Sequence, residues 1–334
     1  MVNVTEREQA PTAGAGPVAE PEFRWSRKDL LDTDTLTRAE IDAIMTTADG
    51  MTEIRSRAVG RVATLRGATV VTLFYEQSTR TRASFEVAAK ALGADVVNLA
   101  ASGSSVEKGE SLIDTVRTLE AIGADVIVMR HPRSGAPYLA ARHSASSIVN
   151  GGDGTHAHPT QALLDLYTIR RHIGDVAGKK IAIIGDVLHS RVARSNAWCL
   201  TAMGAEVVLC GPPTLLPSTL TYWGEGNALR VTTDITAALD GADVVMTLRL
   251  QKERQDRGLI ASLREYARHY QVNESRLESA APGALVMHPG PMNEGVEISP
   301  AVAHGARSVI EEQVANGVAV RMAVLYLMAS GRHG

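Results

Sequence analysis

Cysteine is nearly absent, and aromatic side chains are few. The 334 residues include two cysteines, Cys199 and Cys210, and aromatics make up 4%. Neither cysteine has metal-type spacing or a histidine close by in sequence, so both read as buried thiols in a reducing cytoplasm. Few aromatics argue against a base-stacking platform for nucleic acid. The formal net charge is only -3, so no global field points to a polyanionic partner. Any anion site must arise from arginines and lysines clustered locally. No apolar run approaches the roughly 20 residues that span a bilayer. Residues 1–22 carry Pro, Ala, Gly and Glu without an apolar signal segment, and read as a disordered tail rather than a secretory leader.

What remains is an ordinary globular composition, with 45% hydrophobic and 21% charged residues, long enough for two domains. Thr37 and Glu40 form a capping box, which predicts a helix starting there. Strands then alternate with helices. Strands are expected at Ala68–Phe74, Asp95–Leu99, Asp125–Met129 and Ser147–Asn150. Helices are expected near Thr79–Leu92, Ser111–Ile122 and Ala136–Arg142. Pro159 opens another helix that runs to about His172, and a break follows at Gly174–Gly178. A second series has strands at Lys180–Ile184, Glu206–Leu209, Asp243–Thr247 and Ala284–Met287. Its helices are Arg191–Met203, Ile235–Leu239 and others within Leu263–Ala280. A last helix covers about Ser308–Met328. This alternation implies an α/β protein of two doubly wound parallel-sheet domains, joined by interdomain helices, with the boundary in the Pro159–His172 helix.

Seven polar stretches each follow an apolar, β-type run. They are 78–82, 104–108, 130–132, 156–161, 185–191, 249–254 and 288–291. Ligands of open α/β sheets sit at the carboxyl ends of strands. Seven loops on one rim, rich in Arg, His and hydroxyls, therefore read as one site for a small anionic substrate. Ser78-Thr79-Arg80-Thr81-Arg82 opens a helix, where free N–H groups and a partial positive charge favour an anion. Two arginines are the wrong sign for a bare helix start, and a bound dianion reverses that penalty. The plainer reading makes Ser78 or Thr79 a cap with solvated arginines. Arg130 could equally be a surface charge at a strand end. His156 and His158 lack a third metal ligand at suitable spacing. Hydrogen bonding to a substrate carbonyl competes there with a structural role in the core. Gln161 lies on the face of the same first turn. Gly185-Asp186 follows a strand but lacks the G-x-G-x-x-G spacing of a dinucleotide fingerprint. Arg191 and Arg249 suit carboxylates, although Arg249 also belongs to a run of charge, Arg249 to Arg254.

Taken together, Ser78-Thr-Arg-Thr-Arg82, Arg130-His131-Pro132 and His158-Pro-Thr-Gln161 resemble the transcarbamoylase superfamily. Lys108-Gly-Glu-Ser111, Gly185-Asp-Val-Leu-His-Ser-Arg191, Leu250-Gln-Lys-Glu-Arg254 and His288-Pro-Gly-Pro291 resemble its aspartate carbamoyltransferase branch. The likeness covers about residues 27–330. It implies transfer of a carbamoyl group from carbamoyl phosphate to L-aspartate in pyrimidine biosynthesis, without metal or cofactor. It also implies a carbamoyl phosphate-binding domain at 23–158, an aspartate-binding domain at 159–307, and a helix at 308–330 returning to the first. By the same resemblance Arg80 and Thr81 hold the phosphate, with Ser78 and Thr79 as further donors. Arg130, His158, Gln161 and Thr81 polarise the carbonyl and orient the carbamoyl nitrogen, while the backbone of Gly290 and Pro291 contacts the amide. Arg191 and Arg249 clamp the aspartate carboxylates, supported by Gln251. Ser104 and Lys108 enter from a neighbouring subunit, which implies a cytoplasmic homotrimer with shared sites, no nucleic acid or membrane partner, and room for regulatory or dihydroorotase-like subunits.

Glu294 departs from the expected pattern, standing where many such relatives carry Arg. An ornithine-specific relative should show a Cys in a His-Cys-Leu-Pro segment, where this chain reads His288-Pro-Gly-Pro291. A catalytically silent scaffolding paralogue should have lost Arg80, Lys108 or His158, and all three are here. An NAD-dependent dehydrogenase is the weakest alternative for want of the glycine fingerprint.

Overall fold

The computed structural model describes residues 23–100, 110–217, 228–251 and 258–330. The tail at 1–22, the site candidates Ser104 and Lys108, and the Lys252-Glu253-Arg254 end of one polar stretch lie outside the described residues.

The first sheet follows helix α1 (Arg38–Ser56) and holds β1 (Thr69–Phe74), β2 (Asp95–Ala100), β3 (Val126–His131) and β4 (Ser147–Asp153). Helices α2 (Thr79–Ala91), α3 (Leu112–Ala121) and α4 (Ala136–Arg142) connect them. All pairings are parallel, in the order β2-β1-β3-β4. Val70 to Phe74 and Val126 to Met129 are buried, as expected of strands covered on both faces. The Thr37 box forms: the Thr37 hydroxyl accepts from Glu40 N–H at 3.3 Å, and the Glu40 carboxylate accepts from Thr37 N–H at 2.7 Å.

Helix α5 (Pro159–Ile173) leads to the second sheet, of β5 (Lys180–Ile184), β6 (Glu206–Cys210), β7 (Leu229–Thr232), β8 (Val244–Thr247) and β9 (Leu285–Met287). Its order is β7-β6-β5-β8-β9, again all parallel. Helices α6 (Arg191–Ala202), α7 (Ile235–Leu239), α8 (Leu263–Tyr270), α9 (Glu274–Leu277) and α10 (Pro300–Ala303) flank it. The final helix, α11 (Ile310–Ser330), packs against α1, α2 and α5. It is apolar around most of its circumference, so Val320, Met322, Val324 and Leu325 are all buried. One continuous core runs from Val70 and Val128 through Leu163 and Leu166 of α5 and Val320 of α11 to Ile181 and Ile183. The two sheets are thus joined by shared helices, as the alternation of elements implied.

Three elements differ from expectation, one being the four-residue helix α10, which no expected element covered. Strand β7 lies at a sheet edge with Arg230 and Val231 exposed, so no apolar run announces it. Strand β4 continues three residues past Asn150, through Gly151 and Gly152 to Asp153, beyond the expected end.

In each sheet the chain starts at an inner strand, steps to one side, and then returns to the other. The order therefore reverses between β1 and β3, and again between β5 and β8. Crevices at such reversals, beyond the carboxyl ends of the strands, are where ligands bind.

Candidate active site

A cleft of about 1050 Å³ opens beyond both reversals. Six of the seven polar stretches contribute to its wall: 78–81, Arg130 with Pro132, His158 with Gln161, Ser190 with Arg191, Arg249 with Gln251, and His288 to Pro291. The seventh, 104–108, is outside the described residues. The cleft therefore gathers Ser78, Thr79, Arg80, Thr81, Arg130, His158, Gln161, Arg191, Arg249, Gln251, Gly290 and Pro291.

Three helices begin at this cleft. Ser78 caps α2, its hydroxyl accepting from Thr81 N–H at 3.3 Å, and Arg80 is left exposed in the first turn. Arg82, grouped with it in sequence, is exposed but outside the cleft wall. His158 precedes Pro159 at the start of α5, and Ser190 caps α6 by accepting from Ala193 N–H at 3.1 Å. Converging helix starts add N–H donors and partial positive charge to the guanidinium groups, a setting built for anions.

Close packing of the arginines depends on two glycines. Gly152 has φ +116°, and a Cβ there would stand 2.9 Å from the Arg191 guanidinium carbon and 3.1 Å from Arg130 Nη1. Gly290 has φ +65°, and a Cβ there would overlap Arg80 Nη1. Both need backbone angles that glycine adopts without strain.

Glu76, which sequence reasoning passed over, bridges the two halves. Its Oε1 accepts from Arg130 Nη2 at 2.7 Å and from Arg191 Nη2 at 2.8 Å. Arg130 Nη1 also donates to Gly151 O, and Arg191 Nη1 to Gly154 O, both at 3.2 Å. These contacts set the guanidinium planes before any ligand arrives. The sequence clue was an acid two residues ahead of the Ser78 cap.

His158 is buried, and its Nδ1 has no hydrogen-bond partner. Burial, reinforced by Arg191, Arg130 and Arg321, holds its pKa well below the ordinary imidazole value, so the ring is neutral at pH 7. A neutral imidazole keeps one donor and one acceptor nitrogen for a substrate. Four other histidines are held by partners within the protein, His288 from the cleft wall itself. His156 Nδ1 lies 3.2 Å from Asp153 Oδ2, and its Nε2 lies 3.2 Å from Asp32. His131 packs on Tyr75, His189 bonds to Asp186 at 2.8 Å, and His288 Nε2 reaches Glu297 at 3.2 Å. Of the His156 and His158 pair, only His158 lines the cleft.

Arg321, Gln313 and Asp165 were likewise not singled out in sequence. They sit on largely buried helices, α5 and α11, whose sequences do not mark which polar residues face inward. Arg321 lines the cleft from α11, donates to the Ser84 hydroxyl at 2.7 Å, and lies over the Phe85 ring. Glu294, the departure from pattern, is exposed and pairs with His304 at 3.3 Å, away from the cleft wall.

Fold and site together define an α/β enzyme that holds small anions between two parallel sheets. Residues 28–171 match the family described as aspartate/ornithine carbamoyltransferase, carbamoyl-P binding domain. Residues 177–328 match its Asp/Orn binding domain. The chain belongs to the aspartate/ornithine carbamoyltransferase family. It is 58% identical over 313 residues to the aspartate carbamoyltransferase catalytic subunit of Roseiflexus castenholzii, covering 94% of this chain and 98% of the relative. Among solved structures it resembles aspartate transcarbamoylase from Trypanosoma cruzi in complex with carbamoyl aspartate and phosphate. That likeness has a TM-score of 0.82 at 32% identity and covers 92% and 98% of the two chains. It also resembles ornithine carbamoyltransferase from Pyrococcus furiosus, with a TM-score of 0.84 at 31% identity and the same coverage.

Proposed function

We propose that this protein is an aspartate carbamoyltransferase, moving the carbamoyl group of carbamoyl phosphate to the amino group of L-aspartate. The products are N-carbamoyl-L-aspartate and phosphate, in de novo pyrimidine biosynthesis. The observation that carries this reading is the split character of the cleft. Hydroxyls, Arg80 and the start of α2 stand on the first sheet, and Arg191 and Arg249 on the second. The 58% identical aspartate carbamoyltransferase relative supports the same choice.

In this reading Arg80 and Thr81 hold the phosphate, with Ser78 and Thr79 as further donors. Arg130, His158 and Thr81 point donors at the carbonyl oxygen, where charge develops as the aspartate amine attacks. Gln161 and the backbone of Gly290 and Pro291 receive the carbamoyl amide. Arg191 and Arg249 take the two aspartate carboxylates, with Gln251 in support. The amine forms its bond to the carbonyl carbon, the carbon–oxygen bond to phosphate breaks, and the departing phosphate accepts the amine proton. Orientation and preorganised donors supply the rate, and no protein nucleophile is required. Residues 23–158 form the carbamoyl phosphate domain and 159–307 the aspartate domain, and 308–330 return to the first. The working unit is a cytoplasmic homotrimer in which Ser104 and Lys108 reach the site of a neighbouring subunit.

A colorimetric ureido assay run in parallel on L-aspartate and L-ornithine tests the reading. Colour should develop with aspartate alone. Product from ornithine, or from neither amine, overturns it.

A further inference from the structure

We infer that Asp165 is a positioning residue that makes the site selective for a carbamoyl over an acetyl donor, by fixing which end of the Gln161 amide faces the cleft. The inference rests on the proposed function and adds a determinant of donor specificity to it. Asp165 lies one turn beyond Gln161 on α5 and is fully buried. Its Oδ1 accepts from Gln161 Nε2 and from Gln313 Nε2, each at 2.9 Å. Its Oδ2 accepts from Asn196 Nδ2 at 2.8 Å. One carboxylate thus gathers three amide groups from α5, α6 and α11.

An ionised carboxylate only accepts hydrogen bonds. Each amide must therefore turn its nitrogen toward Asp165 and its oxygen away. For Gln313 the result is visible: its Oε1 accepts from His288 N–H at 2.9 Å, at the head of the segment that brings Gly290 and Pro291 to the cleft. For Gln161 the same constraint leaves Oε1 as the atom available to the cleft that it lines beside His158. Turning that amide over would set oxygen against oxygen. The carbamoyl nitrogen carries two N–H donors and needs acceptors, whereas the methyl group of acetyl phosphate offers none. An acceptor fixed there favours one donor over its isostere, and rejection of an analogue that leaves polar groups unpaired is strong. Burial pushes the Asp165 carboxyl up to about 6, opposed by the Asn196, Gln313 and Gln161 donors and by the Arg321 charge, so the anion prevails at pH 8.

Asp165→Asn keeps the shape but substitutes one acceptor oxygen and one NH₂ group, which frees Gln161 to turn. The test measures, at pH 8, kcat/KM for carbamoyl phosphate and the inhibition constant of acetyl phosphate competing with it. In Asp165→Asn the first should fall about tenfold, the value of one lost hydrogen bond. The acetyl phosphate constant should stay within about threefold, because phosphate, carbonyl and aspartate contacts are untouched. Gln161→Leu, at a partly exposed position on the cleft wall, should show the same selective loss, and the double variant should add little. Equal weakening toward both phosphates overturns the inference in favour of a structural role. A Gln161→Leu enzyme with unchanged discrimination overturns it whether or not Asp165→Asn folds. A wild type that carbamoylates neither amine overturns the proposed function as well, whereas an active wild type with variants weakened in parallel overturns this inference alone.

Discussion

His158 shows how little the type of a residue says without its surroundings. His156 and His158 stand two apart on one loop, yet the first is held between Asp32 and Asp153, and the second faces the cleft among arginines. Burial and three nearby guanidinium groups disfavour the cation, so the folded-state pKa of His158 is depressed. The neutral form therefore persists as pH falls through the range where an exposed imidazole gains its proton. Its imidazole carbon signal in an NMR titration should stay flat between pH 8 and 6. A signal that titrates near 6.5 would mean a solvated ring. Legibility at this scale was uneven, for a physical reason. Arg80, Arg191 and Arg249 could be found because each follows an apolar strand in a polar stretch. Glu76, Asp165, Gln313 and Arg321 carry no such mark. Their importance comes largely from partners distant in sequence, as in the bond between Gln313 and Asp165, 148 residues apart, or that between Arg321 and Ser84, 237 apart.

Elements were more legible than contacts, because local chemistry fixes most of their ends. Helix α1 begins at Thr37 because its hydroxyl and the Glu40 carboxylate satisfy two N–H groups that the first turn leaves unpaired. Pro159 similarly sets the start of α5, and Gly174 follows its last residue. Strand β7 escaped because a half-exposed edge strand has no continuous apolar run, and β4 ran longer through glycines that carry no strand signal, Gly152 leaving room for Arg130 and Arg191. The cap carries a prediction. Thr37→Ala should lower stability by about 1 kcal/mol. Since Thr37 is not part of the cleft wall, a thermal melt should move down by a few degrees with KM for both substrates unchanged. A changed KM would mean that α1 bears on the site in a way its contacts do not explain.

At the scale of the whole molecule, the site belongs to neither sheet. Glu76, two residues beyond β1, already ties Arg130 to Arg191, and α5 and α11 carry one core through both halves. Substrates bridging the cleft should draw the sheets together and exclude water, which protects carbamoyl phosphate from hydrolysis. The two-sheet plan was legible because βα alternation and loop chemistry repeat along the chain. Association between chains follows from the resemblance alone, because it depends on surfaces without periodic pattern. If Lys108 serves a neighbour's site, chains carrying Arg80→Ala and chains carrying Lys108→Ala should each be nearly inactive alone. Refolded together, they should regain activity through sites that draw both intact residues from different chains. Mixtures as inactive as either parent would contradict shared sites.

The central claim, that one cleft seats both acidic substrates side by side, meets its most direct test in a crystal grown with the bisubstrate mimic N-(phosphonacetyl)-L-aspartate. The account predicts the phosphonate at Arg80 and Thr81, the amide oxygen beside His158 and Arg130, and the two carboxylates on Arg191 and Arg249. An inhibitor bound elsewhere, or bound here with Arg80, His158 and Arg249 turned away from it, would contradict the account.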